Sequence, residues 1–177
     1  KPKFKEVDIL DGLQAISDLN EDHPVKQYVI KRMIPEKYYS KLFLCNKFMA
    51  FVNKVKPNTF GHTKGEHPRL IIPFYDNQDK VFAFQGRAFG KEQPKYLTVK
   101  LDENKQKVYG LESVNLQEPL HIVEGPIDSM FLKNCLAAAG ADLTLKVEPS
   151  SVTYIFDNEP RNKEIINTKI TDNKYFK

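Results

Sequence analysis

The sequence has 177 residues, enough for one domain or for a pair of small domains that share a core. Its composition, 41% hydrophobic and 28% charged, is typical of a globular protein in water, and no apolar run is long enough to cross a bilayer. The net charge of +4 permits a polyanionic partner but does not by itself indicate one.

The cysteines and the N-terminus argue against two classes of protein, those built on disulfides or a zinc ribbon and those that are secreted. Cys45 and Cys135 lie far apart and neither belongs to a C-x-x-C pair, which argues against a disulfide framework or a zinc ribbon. The first residues, 1–5, lack the apolar stretch of a secretory signal. We therefore expect a cytoplasmic protein with two reduced, partly buried thiols, and we expect this N-terminus to be the cut end of a longer protein.

The first sixty residues predict mainly helix. Apolar residues recur at helical spacing over residues 9–19, and Pro24 suits the first position of a second helix, which Pro35 ends. A third helix is predicted over residues 47–54. The polar, glycine-containing run 61–68 is the best candidate for a linker.

From Arg69 the hydrophobic period changes to that of strands. Residues 70–75 and 81–84 flank a polar turn and predict an antiparallel hairpin. Two further short strands are predicted over 96–101 and 107–109, around the turn at 102–104. The middle of the chain is therefore expected to form a small, mostly antiparallel sheet.

After Pro119 short apolar runs alternate with helical segments. The runs cover 120–123, 135–139 and 152–156, with one helix predicted up to 134 and another up to about 170. This alternation implies parallel pairing and an α/β unit. The expected fold class is α+β, with N-terminal helices and an antiparallel sheet packed on a Rossmann-like subdomain with a parallel sheet.

Acidic residues follow two of these strands. Glu124 closes the first, with Asp128 one helical turn later, and Asp157 and Glu159 close the third. The carboxyl ends of parallel strands meet at one edge of a sheet, where four carboxylates repel each other unless a cation lies between them. Magnesium prefers such oxygen ligands. The alternative is that the acids are helix caps, but the equivalent placement of all four favours one acidic metal pocket.

Basic and aromatic residues mark the edges of the middle sheet. We predict that Arg87 and Lys95 hold triphosphate oxygens, that Tyr96 stacks on a base, and that Gly86 lets a phosphate or base approach the backbone. We also predict that Arg69, Arg87 and Lys95 lie on one surface, facing the acids across a groove for single-stranded DNA. The residues alone are equally compatible with ordinary exposed cations.

Several motifs resemble a known family. V-E-G-P-I-D (123–128) and F-D-N-E (156–159) resemble the two halves of the TOPRIM signature, which primases share with type IA and type II topoisomerases, OLD nucleases and RecR proteins. Four motifs of the middle sheet occur in the order found in the RNA-polymerase core of bacterial-type primases: R-L-I-I-P-F-Y-D (69–76), Q-G-R-A (85–88), P-K-Y-L (94–97) and V-Y-G-L-E (108–112). E-D-H-P (21–24), E-G-P-I-D-S and D-N-E-P-R resemble the primases of T-even-like phages.

The resemblance implies a DNA primase core that makes short RNA primers on single-stranded DNA during phage replication, in the cytoplasm of the infected host. It divides the chain into a helical segment (1–60), a basic subdomain of the RNA-polymerase core (61–117) and a C-terminally incomplete TOPRIM subdomain (118–177). The implied partners are single-stranded DNA, ribonucleoside triphosphates and a replicative helicase, with no membrane.

The resemblance also assigns roles to residues. It implies that Glu124, Asp157 and Glu159 are catalytic, and that these three and Asp128 bind magnesium or manganese. Glu159 departs from the family pattern, D-x-D, because the second acid is longer. The nucleotide- and DNA-binding positions are Arg69, Arg87, Lys95 and Tyr96, and zinc is expected only in an N-terminal domain outside this sequence. The alternatives are a TOPRIM nuclease or topoisomerase fragment, which would cut strands, and a RecR-like DNA-binding protein.

Overall fold

The computed structural model describes residues 9–139 and 151–157. Within them an antiparallel sheet, sheet A, contains five strands in sequential order. These strands are β1 (Gln14–Ala15), β2 (Phe43–Cys45), β3 (Arg69–Tyr75), β4 (Val81–Ala88) and β5 (Tyr96–Lys100). A parallel sheet, sheet B, contains β6 (Leu120–Val123), β7 (Cys135–Ala137) and β8 (Val152–Tyr154), with β6 in the centre.

Three α-helices accompany the sheets in the described residues: α1 (Pro24–Lys31), α2 (Phe48–Val55) and α3 (Pro126–Ser129). Pro24 is the first residue of α1, as predicted. His23 precedes it and caps the helix, since its side chain accepts a hydrogen bond from the backbone N–H of Val25. α2 lies within one residue of its predicted bounds at each end. α3 is shorter than predicted: it ends at Ser129, and turns and bends follow it where the sequence predicted helix up to residue 134.

Two predictions about local structure were wrong. Residues 9–19 form β1 and a 3-10 turn (Ile16–Asp18) in place of a helix, because β1 pairs with β2 at the edge of sheet A. Gly12, with a φ of +86°, interrupts the helical spacing at this point. Residues 107–109 do not join sheet A either, since Tyr109 makes a bridge with Ala137 of sheet B.

Sheet A is buried on both faces. One face packs on α1 and sheet B, through a cluster that includes Leu70, Phe74, Val29 and Val123. The other face packs on α2, through a cluster that includes Ile71, Phe84, Phe48 and Val52. Successive side chains of a strand point to opposite faces, so β3 supplies both clusters. We call these the α1 face and the α2 face.

Sheet B confirms the predicted parallel α/β unit, with β6 paired in parallel to both β7 and β8. The expected α+β fold class is therefore confirmed. Cys45 and Cys135 are free, as predicted, and both are buried more fully than the predicted partial burial. In the described part of the chain, none of the helices has the length and apolar character needed to span a membrane.

Candidate active site

The carboxyl edge of sheet B brings together acids from two strands. Glu124 directly follows β6, and Asp157 lies three residues beyond the end of β8. The backbone N–H of Asp157 donates a hydrogen bond to Oε1 of Glu124, with 3.3 Å between nitrogen and oxygen. Glu124 is half-buried and Asp157 is exposed, so this edge is open to solvent. The two acids therefore lie together, as the strand ends required.

Asp128 extends the acidic edge from the first turn of α3. A Cβ at Gly125 would lie 2.4 Å from Oδ2 of Asp128, so the glycine of the E-G motif leaves room for this carboxylate. Desolvation by the surrounding protein raises the pKa of Asp128, and the nearby charge of Asp157 raises it further. Arg32 and Arg87 act in the opposite direction. Charges of both signs therefore act on Asp128.

These carboxylates have the chemistry of a magnesium site. Magnesium is bound in proteins by one or two carboxylates together with waters and substrate phosphates. Among residues 9–139 and 151–157 no group of three or more potential ligands is close enough to form a complete cluster. Glu159, the fourth predicted ligand, lies outside the described residues. The described acids fit a site at which the carboxylates supply some of the magnesium ligands and a substrate phosphate supplies others. The metal assignment stays a prediction.

Arg87 lies on the α1 face of sheet A and is 2% exposed. Its Nε donates a hydrogen bond to the hydroxyl of Tyr28 on α1, and its guanidinium lies 4.6 Å from the ring centre of Tyr96. Nη1 is buried without a hydrogen-bond partner among the described residues. Arg87 also lowers the pKa of Asp128, so its charge acts on the acidic edge.

Arg69 occupies the other face, so the prediction that the three cations share one surface is wrong. Arg69 pairs in β3 with Ala88, whereas Arg87 pairs with Leu70, whose side chain belongs to the α1 face. The Arg69 guanidinium lies 5.1 Å from the ring centre of Phe48 on α2. It donates to the carbonyls of Gly86 and Pro94, at 2.9 Å each. Arg69 therefore ties β4 to the start of β5.

Lys95 and Tyr96 directly follow Pro94, whose carbonyl accepts the hydrogen bond from Arg69. Lys95 is exposed, with its Nζ 6.0 Å from the ring centre of Tyr96, which is 44% exposed. Gly86 does not offer the predicted approach to the backbone. A Cβ there would lie 2.2 Å from the Phe48 ring, so this glycine makes room for Phe48 and a ligand is excluded from that side.

The chain is similar in sequence to known proteins over nearly its whole length. No protein-family model matches the chain. The DNA primase of Enterobacteria phage T4 is 36% identical over 177 residues, which cover 97% of this chain and 51% of that protein. The DNA primase of Clostridium acetobutylicum is 32% identical over 106 residues, which cover 50% of this chain and 18% of that protein. The chain belongs to the DNA primase family.

Solved primase structures share the fold. The zinc-binding and RNA polymerase domains of the Aquifex aeolicus primase match with a TM-score of 0.59 and 22% identity, over 77% of this chain and 43% of that one. The RNA polymerase domain of Mycobacterium tuberculosis DnaG in complex with double-stranded DNA matches with a TM-score of 0.58 and 15% identity, over 89% and 63%. The chain spans about half the length of the T4 primase.

Two site residues were missed in the sequence. The sequence predicted no role in the site for Tyr28 of α1 or for Arg32, which directly follows α1. The two are four positions apart and so share a face of the helix, with the Arg32 guanidinium 5.8 Å from the ring centre of Tyr28. Their helical spacing was visible, but nothing in the sequence indicated that this face meets Arg87 and Asp128. Only the packing of α1 on sheet A shows it.

Proposed function

We propose that the chain is the catalytic core of a DNA primase. It would join ribonucleotides into short RNA primers on a single-stranded DNA template, by metal-dependent nucleotidyl transfer. The similarity to two primases and the fold shared with primase catalytic domains support this proposal over the nuclease, topoisomerase and RecR-like alternatives.

One observation carries the proposal, namely the buried Nη1 of Arg87, which has no hydrogen-bond partner among the described residues and belongs to a guanidinium whose charge acts on the acidic edge. A buried polar group without a partner costs roughly 1–3 kcal/mol, and more when it is charged. A phosphate oxygen would supply the missing acceptor for Nη1. The half-exposed ring of Tyr96, which lies against the same guanidinium, offers a surface on which a base stacks. A triphosphate bound here would extend toward Asp128 and the metal ligands.

In this proposal the residues divide the work. Magnesium or manganese, held by Glu124, Asp157 and Glu159 with Asp128 beside them, would neutralise charge on the phosphates and help to ionise the attacking 3′-hydroxyl. Arg87 binds a phosphate, and Tyr28 fixes its Nε so that Nη1 stays directed at the ligand. Lys95, which is exposed, binds a further phosphate of the nucleotide or the template.

The same proposal sets the partners. The substrates are single-stranded DNA and ribonucleoside triphosphates, and a replicative helicase would deliver the template. A structure of a DnaG primase catalytic domain bound to single-stranded DNA matches this chain with a TM-score of 0.57 and 15% identity, over 86% of this chain and 63% of that one. Zinc is proposed only for a domain outside this sequence.

Asp157→Asn tests the proposal, because it keeps the shape of the side chain and removes the charge that the metal needs. Primer synthesis by the complete protein, supplied with a single-stranded template and ribonucleotides, should fall at least about a hundredfold. Affinity for the template should stay within about a factor of two, because phosphates are held by cations elsewhere. Asp79→Asn, in the exposed turn between β3 and β4, is the matched control and should retain activity.

Near-normal primer synthesis by Asp157→Asn would return this residue to the role of a helix cap, for which Asn serves nearly as well as Asp. If the unaltered protein cut single strands in the presence of magnesium and made no primer, the nuclease alternative would replace the primase.

A further inference from the structure

A cavity with a volume of about 460 Å³ lies behind α3, and its wall does not include Glu124, Asp128 or Asp157. It opens between the 3-10 helix Glu36–Lys41, the turn that follows Tyr109, and the segment that joins α3 to β7. We call it the rear cavity. Small-molecule sites typically have volumes of roughly 300–1,000 Å³, so the rear cavity is large enough for a compact ligand.

The rear cavity is separate from the candidate active site. Its wall includes Cys135, the first residue of β7, whereas Glu124 follows the last residue of β6. Since β6 and β7 run parallel, with His121 opposite Cys135, these two residues lie at opposite ends of sheet B. Three residues of strand separate the ends by about 10 Å. None of the described acids of the edge lines the rear cavity, and neither does Arg87.

Glu112, the last residue of the V-Y-G-L-E motif, is the notable group in this wall. Its Oε2 is buried without a hydrogen-bond partner among the described residues. Burial raises the pKa of this carboxyl, while the charge of Lys41 opposes the rise. Leaving a buried acceptor without a donor is costly, so a ligand that donates to this carboxylate would be stabilised.

The other charged groups of the wall are cations. Lys37, Lys41 and Lys133 line the rear cavity, so Glu112 faces an excess of positive charge. Lysine ammonium groups bind phosphate as point charges. Tyr38 adds an aromatic wall. The combination of three cations, one recessed acceptor and an aromatic surface matches a ligand with an anionic end and a planar end that carries N–H donors.

We propose that the rear cavity binds a nucleoside phosphate, with the phosphate on the three lysines and an N–H edge of the base donating to the carboxylate of Glu112. Guanine, which presents adjacent N–H donors, suits a single recessed carboxylate well. The inference does not depend on the proposed function, because it uses none of the residues assigned to primer synthesis. Ser129 of α3 lines the rear cavity and Asp128 is its neighbour, so an occupant would contact the helix that carries an acid of the active site.

The two cysteines give a direct readout. Cys135 lines the rear cavity, and Cys45 lies in the cluster on the α2 face. Burial raises the pKa of each thiol to about 11, so both react slowly at neutral pH, and each is compared with itself with and without ligand. The chain with Cys45→Ser reports on Cys135, and the chain with Cys135→Ser reports on Cys45. Each is labelled with a small disulfide reagent, with and without GMP, in the presence of EDTA.

We expect GMP to slow the labelling of Cys135 about tenfold at about ten times its dissociation constant, and to leave Cys45 unchanged. Lys41→Met, added to the Cys45→Ser chain, should weaken GMP roughly tenfold, since it removes one charge-assisted contact. Lys64→Met, at an exposed lysine outside the wall, should have no effect. Arg87→Met should leave the protection of Cys135 intact even if it abolishes primer synthesis.

Four results would overturn the proposal. Unchanged labelling of Cys135 would show that GMP does not enter, and equal slowing at Cys45 would show general stabilisation only. Equal protection by inorganic phosphate would reduce the rear cavity to a simple anion site. Loss of protection in Arg87→Met would place the nucleotide in the candidate active site.

Discussion

Sheet A carries two arginines on neighbouring strands, one on each face, and both are 2% exposed. On the α2 face, Arg69 donates to two backbone carbonyls and lies over Phe48. On the α1 face, Arg87 has one hydroxyl partner among the described residues, a buried Nη1 without such a partner, and a charge interaction with Asp128. Equal burial therefore accompanies different partners. Each guanidinium keeps one buried nitrogen without a hydrogen-bond partner among the described residues, Nε in Arg69 and Nη1 in Arg87. The two backbone acceptors of Arg69 indicate a structural role, whereas the charge interaction of Arg87 with Asp128 indicates a role at the acidic edge.

The energetics sharpen this contrast. A buried charge is tolerated only when it is well paired, and replacing it by an apolar side chain of similar size is often neutral. Removing the donor to a buried acceptor instead leaves that acceptor unsatisfied, at a cost of roughly 1–3 kcal/mol. Arg69 satisfies two such acceptors and Arg87 none on the backbone, so the same substitution should affect the two sites differently.

Of the two arginine substitutions, Arg87→Met should have the larger effect on activity. Primer synthesis should fall about a hundredfold, because a donor to the transferred phosphates is lost. The free energy of unfolding should change by less than about 1 kcal/mol, since among the described residues only the hydroxyl of Tyr28 loses a hydrogen bond, and the apolar Met side chain still packs on the Tyr96 ring. Steady-state primer synthesis and urea denaturation check the two parts. Loss of folding with retained activity per folded molecule would reverse the assignment.

Arg69→Met should have the largest effect on stability. The carbonyls of Gly86 and Pro94 lose their donor, so the free energy of unfolding should fall by roughly 2–4 kcal/mol. Urea denaturation measures the loss. Activity should fall only because fewer molecules are folded and because the segment at Pro94 and Lys95 is held less firmly without Arg69. A stable Arg69→Met protein without nucleotide affinity would instead give Arg69 the role in binding that the sequence predicted.

Tyr28→Phe tests the hydroxyl that holds Arg87. The ring, with its edge-on contact to Phe89 at 5.2 Å, stays in place, so the fold should be kept. We expect the KM for ribonucleotides to rise about fivefold with little change in kcat, because one hydrogen bond worth about 1 kcal/mol is lost from the bound state. Tyr39→Phe is the control, and an equal effect there would deny Tyr28 a positioning role.

Asp128→Asn should have the smallest effect, on stability. Since the pKa of Asp128 is raised in the folded chain, the unfolded chain ionises first as pH rises. The free energy of unfolding of the unaltered chain should therefore fall with pH between the ordinary and the raised value, and stay lower above it. The variant should lack this fall and be more stable at neutral pH by about 0.5 kcal/mol, because solvent screens the partly exposed group. Thermal denaturation without metal, at acidic and neutral pH, checks this, and a less stable variant at neutral pH would contradict it.

The sequence predicted those features that depend on local pattern. The alternation of apolar runs and helices predicted sheet B, and the positions of the acids at strand ends predicted that Glu124 and Asp157 lie together. Pro24 located the start of α1 for a similarly local reason, since its fixed φ suits a first helical turn.

Features that depend on packing could not be predicted. Residues 9–19 have helical spacing but form a strand, because the edge of β2 was available for pairing. The faces of Arg69 and Arg87 follow from the register of β3 with β4, which no spacing in the sequence specifies. Because Gly86 has no side chain, the sequence predicted that a ligand approaches its backbone. In the structure the Phe48 ring fills that space, and Phe48 belongs to α2, nearly forty residues earlier in the chain.

The most direct test of the contrast between the two arginines is side-chain NMR. The sequence contains four arginines, at positions 32, 69, 87 and 161, so a sample with 15N-labelled arginine has few Nε signals, and Arg→Lys variants assign them. On titration with a magnesium-bound ribonucleoside triphosphate, the signal of Arg87 should shift and saturate, while that of Arg69 stays unchanged. A saturating shift of Arg69 with Arg87 unchanged would contradict the account.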